Sequence, residues 1–314
     1  MGRARGVLSC RWVPAAAAVV LAAVGCGGGG GSSNEGTNNQ SVPATVSNGV
    51  VSVPVSIDGT MTMPFLVDTG AVLPRLDPAH FGALMITPGL AQVSTLDVGS
   101  VHLTDVQVVA ASLCGAGMGM GTTMMCPGAG AAGLLGGAVM EGFAVTIDYH
   151  RSAVTFGAFT PPASSRAPIM VPFALEGGGL ATVGDASVTL PATRIALDVN
   201  VEGTVVPMLV DTGSSTMVLD PAFYDALVAD GRAQSTTNVS TVMGTESVSS
   251  TKLRAVSLAG AAQANVTAVR SPFDMGLITH EVGHPVQGLV GGAYLDNYLT
   301  TIDYPARQLI LRPY

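Results

Sequence analysis

Apolar residues alternate with polar or small ones along much of the chain, with the period of two that half-buried β-strands show. The alternation is clearest at Val50–Ile57 and at 195–201. Each of these runs is followed by a turn that contains Gly, at 58–59 and at 202–203, and then by a second apolar run. The pattern predicts a β-hairpin at corresponding places in the two halves of the chain.

Further matched elements are predicted in each half. Hairpins are expected over 95–109 and 253–269, and a strand over 169–175. Short helices are expected at 78–84 and 221–229, because each begins with Pro after an Asp that can serve as the N-cap. The sequence therefore predicts a mainly β protein with few helices.

An internal repeat accounts for this matching. Three blocks recur in the same order, the first 143 residues apart and the other two 155 residues apart. The blocks are Met-Pro-Phe-Leu-Val-Asp-Thr-Gly-Ala at 63–71 and Val-Pro-Met-Leu-Val-Asp-Thr-Gly-Ser at 206–214, Gly-Leu-Leu-Gly-Gly-Ala at 133–138 and Gly-Leu-Val-Gly-Gly-Ala at 288–293, and Thr-Ile-Asp-Tyr at 146–149 and 301–304. Such self-similarity indicates a duplicated domain. We expect an N-terminal lobe at 46–160, a connection at 161–190 and a C-terminal lobe at 191–314.

The first residues have the pattern of an export signal. Three arginines and no acidic residue accompany an apolar run at 12–24, which is too short to span a bilayer comfortably. We expect a signal peptide over 1–25, followed by a flexible tether over 26–45 that is rich in Gly, Ser and Asn.

The end of the apolar run, Ala23-Val24-Gly25-Cys26, resembles the lipobox of bacterial lipoproteins, whose Cys carries the lipid. Ala23 stands where Leu is usual. The resemblance implies lipidation at Cys26, a membrane anchor, and a place in the bacterial cell envelope, facing the periplasm or the cell surface. An ordinary secretory signal cut nearby is the alternative.

Charge and composition exclude some partners. The chain has 13 basic and 21 acidic residues, and removal of the first 25 residues takes three of the basic ones away. Because no basic run interrupts this acidic composition, we expect no nucleic-acid partner.

Two cysteines remain outside the leader and the lipobox. Cys114 and Cys126 bracket a loop rich in Gly and Met, and in an exported chain we expect them to form a disulfide. A soft-metal site is the alternative, since four thioethers lie between them, at Met118, Met120, Met124 and Met125.

The duplicated Asp-Thr-Gly motif resembles that of the aspartic proteases, in their retropepsin-like and pepsin-like forms. The resemblance covers the chain from about 50 to 311. It implies an all-β fold of two homologous lobes related by a pseudo-two-fold axis, each a closed or orthogonal barrel, in a monomer that is an internal pseudo-dimer. It also implies that Asp68 and Asp211 are the catalytic pair.

The resemblance assigns roles to the neighbours of the two aspartates. Thr69 and Thr212 would hydrogen-bond across the axis, and Gly70 and Gly213 would let the loops approach closely. The later hydrophobic-hydrophobic-Gly elements, 134–136 and 289–291, would pack against the loops. Because Ser214 follows the second motif and Ala71 the first, we expect Ser214 to stabilise an ionised Asp211 and leave the proton on Asp68.

Two carboxylates about 3 Å apart cannot both ionise, so they share a proton. One can then activate water while the other polarises a carbonyl. We therefore expect an endopeptidase that acts on polypeptides and needs no metal or cofactor. A hairpin flap is expected around Met243 and Gly244, whereas the first lobe has only a short segment at 87–89 in that place.

Two other functions compete with this one. A protein of the same fold could bind peptides or a partner protein without catalysis. His280-Glu281-Val282-Gly283-His284 matches the zinc-hydrolase pattern. Gly283 and the following Pro285 favour a connecting loop there instead of a continuous helix.

Overall fold

The computed structural model describes residues 39–84, 86, 88–113, 130–159, 167–183, 186–241 and 244–314. Within the chain, Thr37–Tyr314 forms one compact unit. The predictions for Cys26, for the Cys114–Cys126 pair with its four methionines, and for Met243 lie outside the described residues.

The described residues of the first lobe form ten strands. They are β1 (Gln40–Pro43), β2 (Thr45–Ser47), β3 (Val50–Ile57), β4 (Met63–Val67), β5 (Arg75–Leu76), β6 (Gly89–Val98), β7 (Val101–Ala110), β8 (Gly133–Leu135), β9 (Ala144–Asp148) and β10 (Ala153–Gly157). Strands β3, β4, β8, β5, β7 and β6 pair in that order, and β6 returns to β3, so the sheet closes into a six-stranded barrel. Alternate residues of β3 are buried, as the period of two predicts.

Four strands lie between the lobes. They are β11 (Ile169–Pro172), β12 (Ala174–Glu176), β13 (Gly179–Val183) and β14 (Ala186–Leu190). The predicted strand at 169–175 is therefore two strands that join different sheets. Strands β13 and β14 form a separate hairpin within the segment that was predicted only as a connection.

The second lobe repeats the first with additions. Its strands are β15 (Arg194–Val201), β16 (Thr204–Val210), β17 (Met217–Leu219), β18 (Gln234–Thr241), β19 (Gly244–Leu253), β20 (Val256–Leu258), β21 (Ala261–Gln263), β22 (Val266–Arg270), β23 (Gly288–Val290), β24 (Tyr298–Asp303) and β25 (Gln308–Pro313). The ladder β15–β16–β23–β17–β22 matches β3–β4–β8–β5–β7 of the first lobe. The hairpin predicted over 253–269 is instead two pairings, β20 with β21 and β19 with β22.

A six-stranded sheet joins the lobes. Its order is β1–β10–β9–β24–β25–β11, and β9 and β24 from the two Thr-Ile-Asp-Tyr blocks pair antiparallel at its centre. There Thr146 lies opposite Thr301, with their hydroxyls 2.8 Å apart. The two copies of this block therefore meet on the pseudo-two-fold axis.

Among the described residues, helices are few and short. They are α1 (Gly137–Met140), α2 (Pro221–Val228), α3 (Met275–Val282) and α4 (Gly292–Leu295). The prediction of α2 is confirmed, and Asp220 caps it by accepting from the amides of Ala222 and Phe223. The helix predicted at 78–84 is instead two 3-10 turns, Pro78–His80 and Gly82–Leu84, since Gly disfavours continuation of a helix. No helix in the described ranges is long and apolar enough to cross a bilayer.

Candidate functional site

Each Asp-Thr-Gly motif lies directly after a buried strand. Asp68 follows β4, and its amide donates to the carbonyl of Leu135 in β8 at 3.0 Å. Asp211 follows β16, and its amide donates to Val290 in β23, also at 3.0 Å. Strand β4 runs parallel to β8, and β16 runs parallel to β23. The hydrogen bond from each aspartate amide therefore extends this pairing into the start of the loop.

The glycine that follows β8 or β23 packs against the Asp-Thr-Gly loop of its own lobe. A Cβ on Gly136 would lie 2.6 Å from the backbone of Leu73, and one on Gly291 would lie 2.1 Å from the carbonyl of Thr216. The next residue in each lobe donates its amide to the loop, Gly137 to Ala71 and Gly292 to Ser214, each at 2.8 Å. The hydrophobic-hydrophobic-Gly elements thus pack against the loops as expected.

Four symmetric hydrogen bonds join the two loops. The Thr69 hydroxyl donates to the Val210 carbonyl at 2.7 Å and accepts from the Thr212 amide at 3.1 Å. The Thr212 hydroxyl donates to the Val67 carbonyl at 2.7 Å and accepts from the Thr69 amide at 3.1 Å. Both threonines are fully buried, so the bonds form away from competing water. The expected contact across the axis is confirmed.

The two carboxyl groups meet between these loops. The Asp68 and Asp211 side chains share a hydrogen bond, and both residues remain partly exposed. A Cβ on Gly70 would lie 2.9 Å from Asp211 Oδ1, and one on Gly213 would lie 2.7 Å from Asp68 Cγ. Glycine is therefore required at both positions for each loop to receive the carboxyl group of the other lobe.

The expected donation from Ser214 to Asp211 is wrong, and the site of the shared proton stays a prediction. The Ser214 hydroxyl donates its one proton to the Thr216 carbonyl at 2.9 Å and therefore does not serve Asp211. Asp68 Oδ1 accepts from the amides of Gly70 at 2.9 Å and Ala71 at 3.2 Å.

Both carboxyl groups have raised pKa values. Burial raises the pKa of Asp68, but these two N–H groups oppose the rise. Burial and the negative charge of Asp68 raise the pKa of Asp211 to about 8. Near neutral pH the pair therefore carries one negative charge and one proton.

A pH-dependent stability follows from the raised pKa of Asp211. Since the folded-state pKa is about 8 and the ordinary value is 3.8, the free energy of unfolding should fall as pH rises through this window. The limiting slope is about 1.4 kcal/mol per pH unit for one proton. We expect Asp211→Asn to remove most of this slope in urea unfolding, and Asp303→Asn, at an exposed turn, to keep it.

A long hairpin lies at the predicted flap position. Strands β18 and β19 pair along eight positions, from Gln234 opposite Thr251 to Thr241 opposite Gly244. Gly244 thus begins β19, and residues 242–243 lie outside the described ranges. In the first lobe, the described residues between β5 and β6 form the two 3-10 turns and no such hairpin. That β18–β19 covers the aspartates stays a prediction.

The His-Glu-x-x-His segment does not have zinc-hydrolase geometry. It was expected to be a loop, but α3 continues through His280 and Glu281 and ends at Gly283, whose φ is 81°. His284 therefore lies beyond the helix and not on the same face as His280. Its Nε2 atom is 3.4 Å from a Glu176 carboxylate oxygen, and Glu281 pairs with Arg194. Among the described residues, no group of three or more His, Cys, Asp or Glu could hold a metal ion.

Arg194 belongs to the site but was not predicted from the sequence. This residue begins β15, and its Nε donates to the Gly70 carbonyl of the other lobe at 3.1 Å. Strand register places Val50 at the corresponding position of the first lobe, because Ser52 pairs with Leu66 as Ala196 pairs with Leu209. A charged residue in one repeat against an apolar one in the other is the signal that would have identified it.

Comparisons with known proteins agree with this architecture. Residues 197–294 match a family model described as aspartyl protease. A search of curated proteins found no match. The solved structures that match include an aspartic proteinase from Irpex lacteus, with a TM-score of 0.51, 13% identity, and coverage of 88% of this chain and 97% of that one. The structural match shows the fold, and the two findings together support an aspartyl protease family.

Proposed function

We propose that this protein is an aspartic endopeptidase with Asp68 and Asp211 as its catalytic pair. One observation carries the proposal: two loops of matching geometry bring a hydrogen-bonded pair of carboxyl groups to a partly exposed position. A pair that holds one proton and one charge can serve as general base and general acid together. The aspartyl protease match supports a protease-type function.

We place the charge on Asp68 and the proton on Asp211, because the negative charge of Asp68 is among the causes that raise the pKa of Asp211. Ionised Asp68 takes a proton from water as the water oxygen attacks the peptide carbonyl carbon, while Asp211 gives its proton to the carbonyl oxygen. Asp68 then gives its proton to the amide nitrogen, the C–N bond breaks, and Asp211 recovers a proton from the hydroxyl as the new carboxyl group forms. Both residues return to their starting states, so the cycle balances within the pair and water.

The proposed substrate is an extended polypeptide. Both aspartates are partly exposed, and the β18–β19 hairpin offers strand backbone with which an added strand could pair. In this proposal the β18–β19 hairpin of the second lobe is the main element that covers the bound substrate.

The test is peptide hydrolysis by residues 37–314, the compact unit. A peptide library is incubated from about pH 3 to 9, with and without a chelator. We expect cleavage inside the peptides that the chelator leaves unchanged, and inhibition by a peptide analogue that carries a hydroxyl-bearing tetrahedral carbon at the scissile position.

Two results would contradict the proposal. Cleavage that a chelator abolishes would move the chemistry to a metal. Absence of cleavage at every pH, from protein whose near-UV circular dichroism shows packed aromatic residues, would favour a binding protein on the same fold.

A further inference from the structure

The loop that carries Asp68 has a cationic support that the loop of Asp211 lacks. Arg194 comes from β15 of the second lobe and reaches across the axis to the Gly70 carbonyl at 3.1 Å. Its side chain is only 18% exposed, so water screens its charge weakly. Val50, at the corresponding place in the first lobe, has no donor or charge to offer Gly213.

Two elements hold the guanidinium in place. Nη1 pairs with Glu281 near the end of α3, and the backbone of Arg194 pairs with Glu176 of β12. A Cβ on Gly177 would lie 3.3 Å from the Arg194 side chain, so the chain passes close beside it. The planar guanidinium of Arg194 therefore bridges the Gly70 loop of the first lobe and α3 of the second. This arrangement fixes the distance between the guanidinium and Asp68.

We propose that Arg194 is the positioning residue that makes Asp68 the ionised member of the pair and leaves the proton on Asp211. The inference rests on the proposed function for its catalytic meaning, but its electrostatic part concerns the two carboxyl groups alone.

The charges around Asp68 favour this role. The ionisable groups that face Asp68 are Asp211, Arg194 and Tyr304, and Arg194 is the cation among them. Its charge lowers the pKa of Asp68 against the larger effect of burial. Glu281 opposes Arg194, but it is 54% exposed, so water screens its charge more strongly. The charges of Arg194 and Glu281 together therefore favour the ionised form of Asp68, against the larger effect of burial.

The test measures each carboxyl group separately. With Asp carboxyl carbons labelled for NMR, Asp68 is titrated in the Asp211→Asn background and Asp211 in the Asp68→Asn background. Each is compared with and without Arg194→Gln. We expect Arg194→Gln to raise the titration midpoint of Asp68 and to move that of Asp211 much less. Such a four-variant design isolates the coupling between one charge and one carboxyl group.

Two further variants separate charge from structure. Arg194→Lys keeps the charge and loses the planar fork, so the Asp68 midpoint should return toward its original value. Arg270→Gln removes an exposed cation that pairs with Asp225 in the same lobe and should move neither midpoint. The inference would be overturned if Arg194→Gln shifted the titration midpoints of Asp68 and Asp211 equally or shifted neither. It would also be overturned if Arg194→Lys did not restore the Asp68 midpoint.

The catalytic consequence has its own readout. In active enzyme, Arg194→Gln should move the acid limb of kcat/KM to higher pH, and a limb that lies one pH unit higher lowers kcat/KM there about tenfold. A purely structural role would lower activity without moving the limb. Since the NMR midpoints need no turnover, an inactive protein would refute the proposed function and still report on Arg194.

Discussion

Replacing either Asp68 or Asp211 by Asn is expected to reduce peptide hydrolysis by about 10³-fold or more, without loss of the fold. Asn matches the shape of Asp but can neither take a proton from water nor give one to a carbonyl. Both steps are needed in one cycle, so each single variant should lose nearly all of kcat. The measurement is kcat and kcat/KM on one cleaved peptide, from the compact unit of residues 37–314.

A matched control comes from the second repeated block. Asp303 follows the same local pattern of apolar strand and Asp, but its carboxylate accepts from the Ala306 amide in an exposed turn. Asp303→Asn should therefore retain kcat. If Asp68→Asn or Asp211→Asn kept more than about a tenth of the activity, the reaction would not depend on general acid–base chemistry at the pair.

The two variants should also differ from each other in stability. In the proposed assignment, Asp211→Asn removes the carboxyl group that holds the proton, whose pKa is raised to about 8, whereas Asp68→Asn removes the group that carries the charge. At neutral pH we therefore expect Asp211→Asn to be the more stable of the two.

The parts of the site that the sequence predicts are those carried by the repeat. Asp68 and Asp211, the paired threonines and the glycines beside them recur in matched blocks, and matched blocks fold into matched loops. Glycine at 70 and 213 also has a local reason, since a Cβ at either position would lie within 3 Å of the opposite carboxyl group. The repeat thus identifies these residues, and the resemblance to the aspartic proteases implies their partners.

Other parts depend on tertiary contacts that no local pattern records. The Ser214 hydroxyl was expected to donate to Asp211, but it donates to the Thr216 carbonyl of the same loop. Arg194 acts across the axis, on a residue 124 positions away in the chain. The helix α3 forms because Asp274 caps it, although the repeat indicated a connecting loop there.

After the two aspartates, the pair Thr69 and Thr212 should have the largest effect on stability and activity. Thr69→Val removes the hydroxyl that donates to Val210 and accepts from the Thr212 amide, and it leaves both groups buried without a partner. Each such group costs about 1–3 kcal/mol, so we expect the free energy of unfolding to fall by roughly 2–4 kcal/mol. Because the loops then lose their alignment, kcat should fall by about 10²-fold.

The pseudo-two-fold symmetry supplies a strict internal comparison. Thr212→Val removes the mirror-image bonds, to the Val67 carbonyl and from the Thr69 amide, at the same two distances. It should therefore cost the same as Thr69→Val within the error of urea unfolding. Thr→Ser at either position keeps the hydroxyl and should retain most of the stability and activity. If one valine variant were costly and the other harmless, the two loops would not support each other equally, and the symmetric hydrogen bonds would not be what aligns the carboxyl groups.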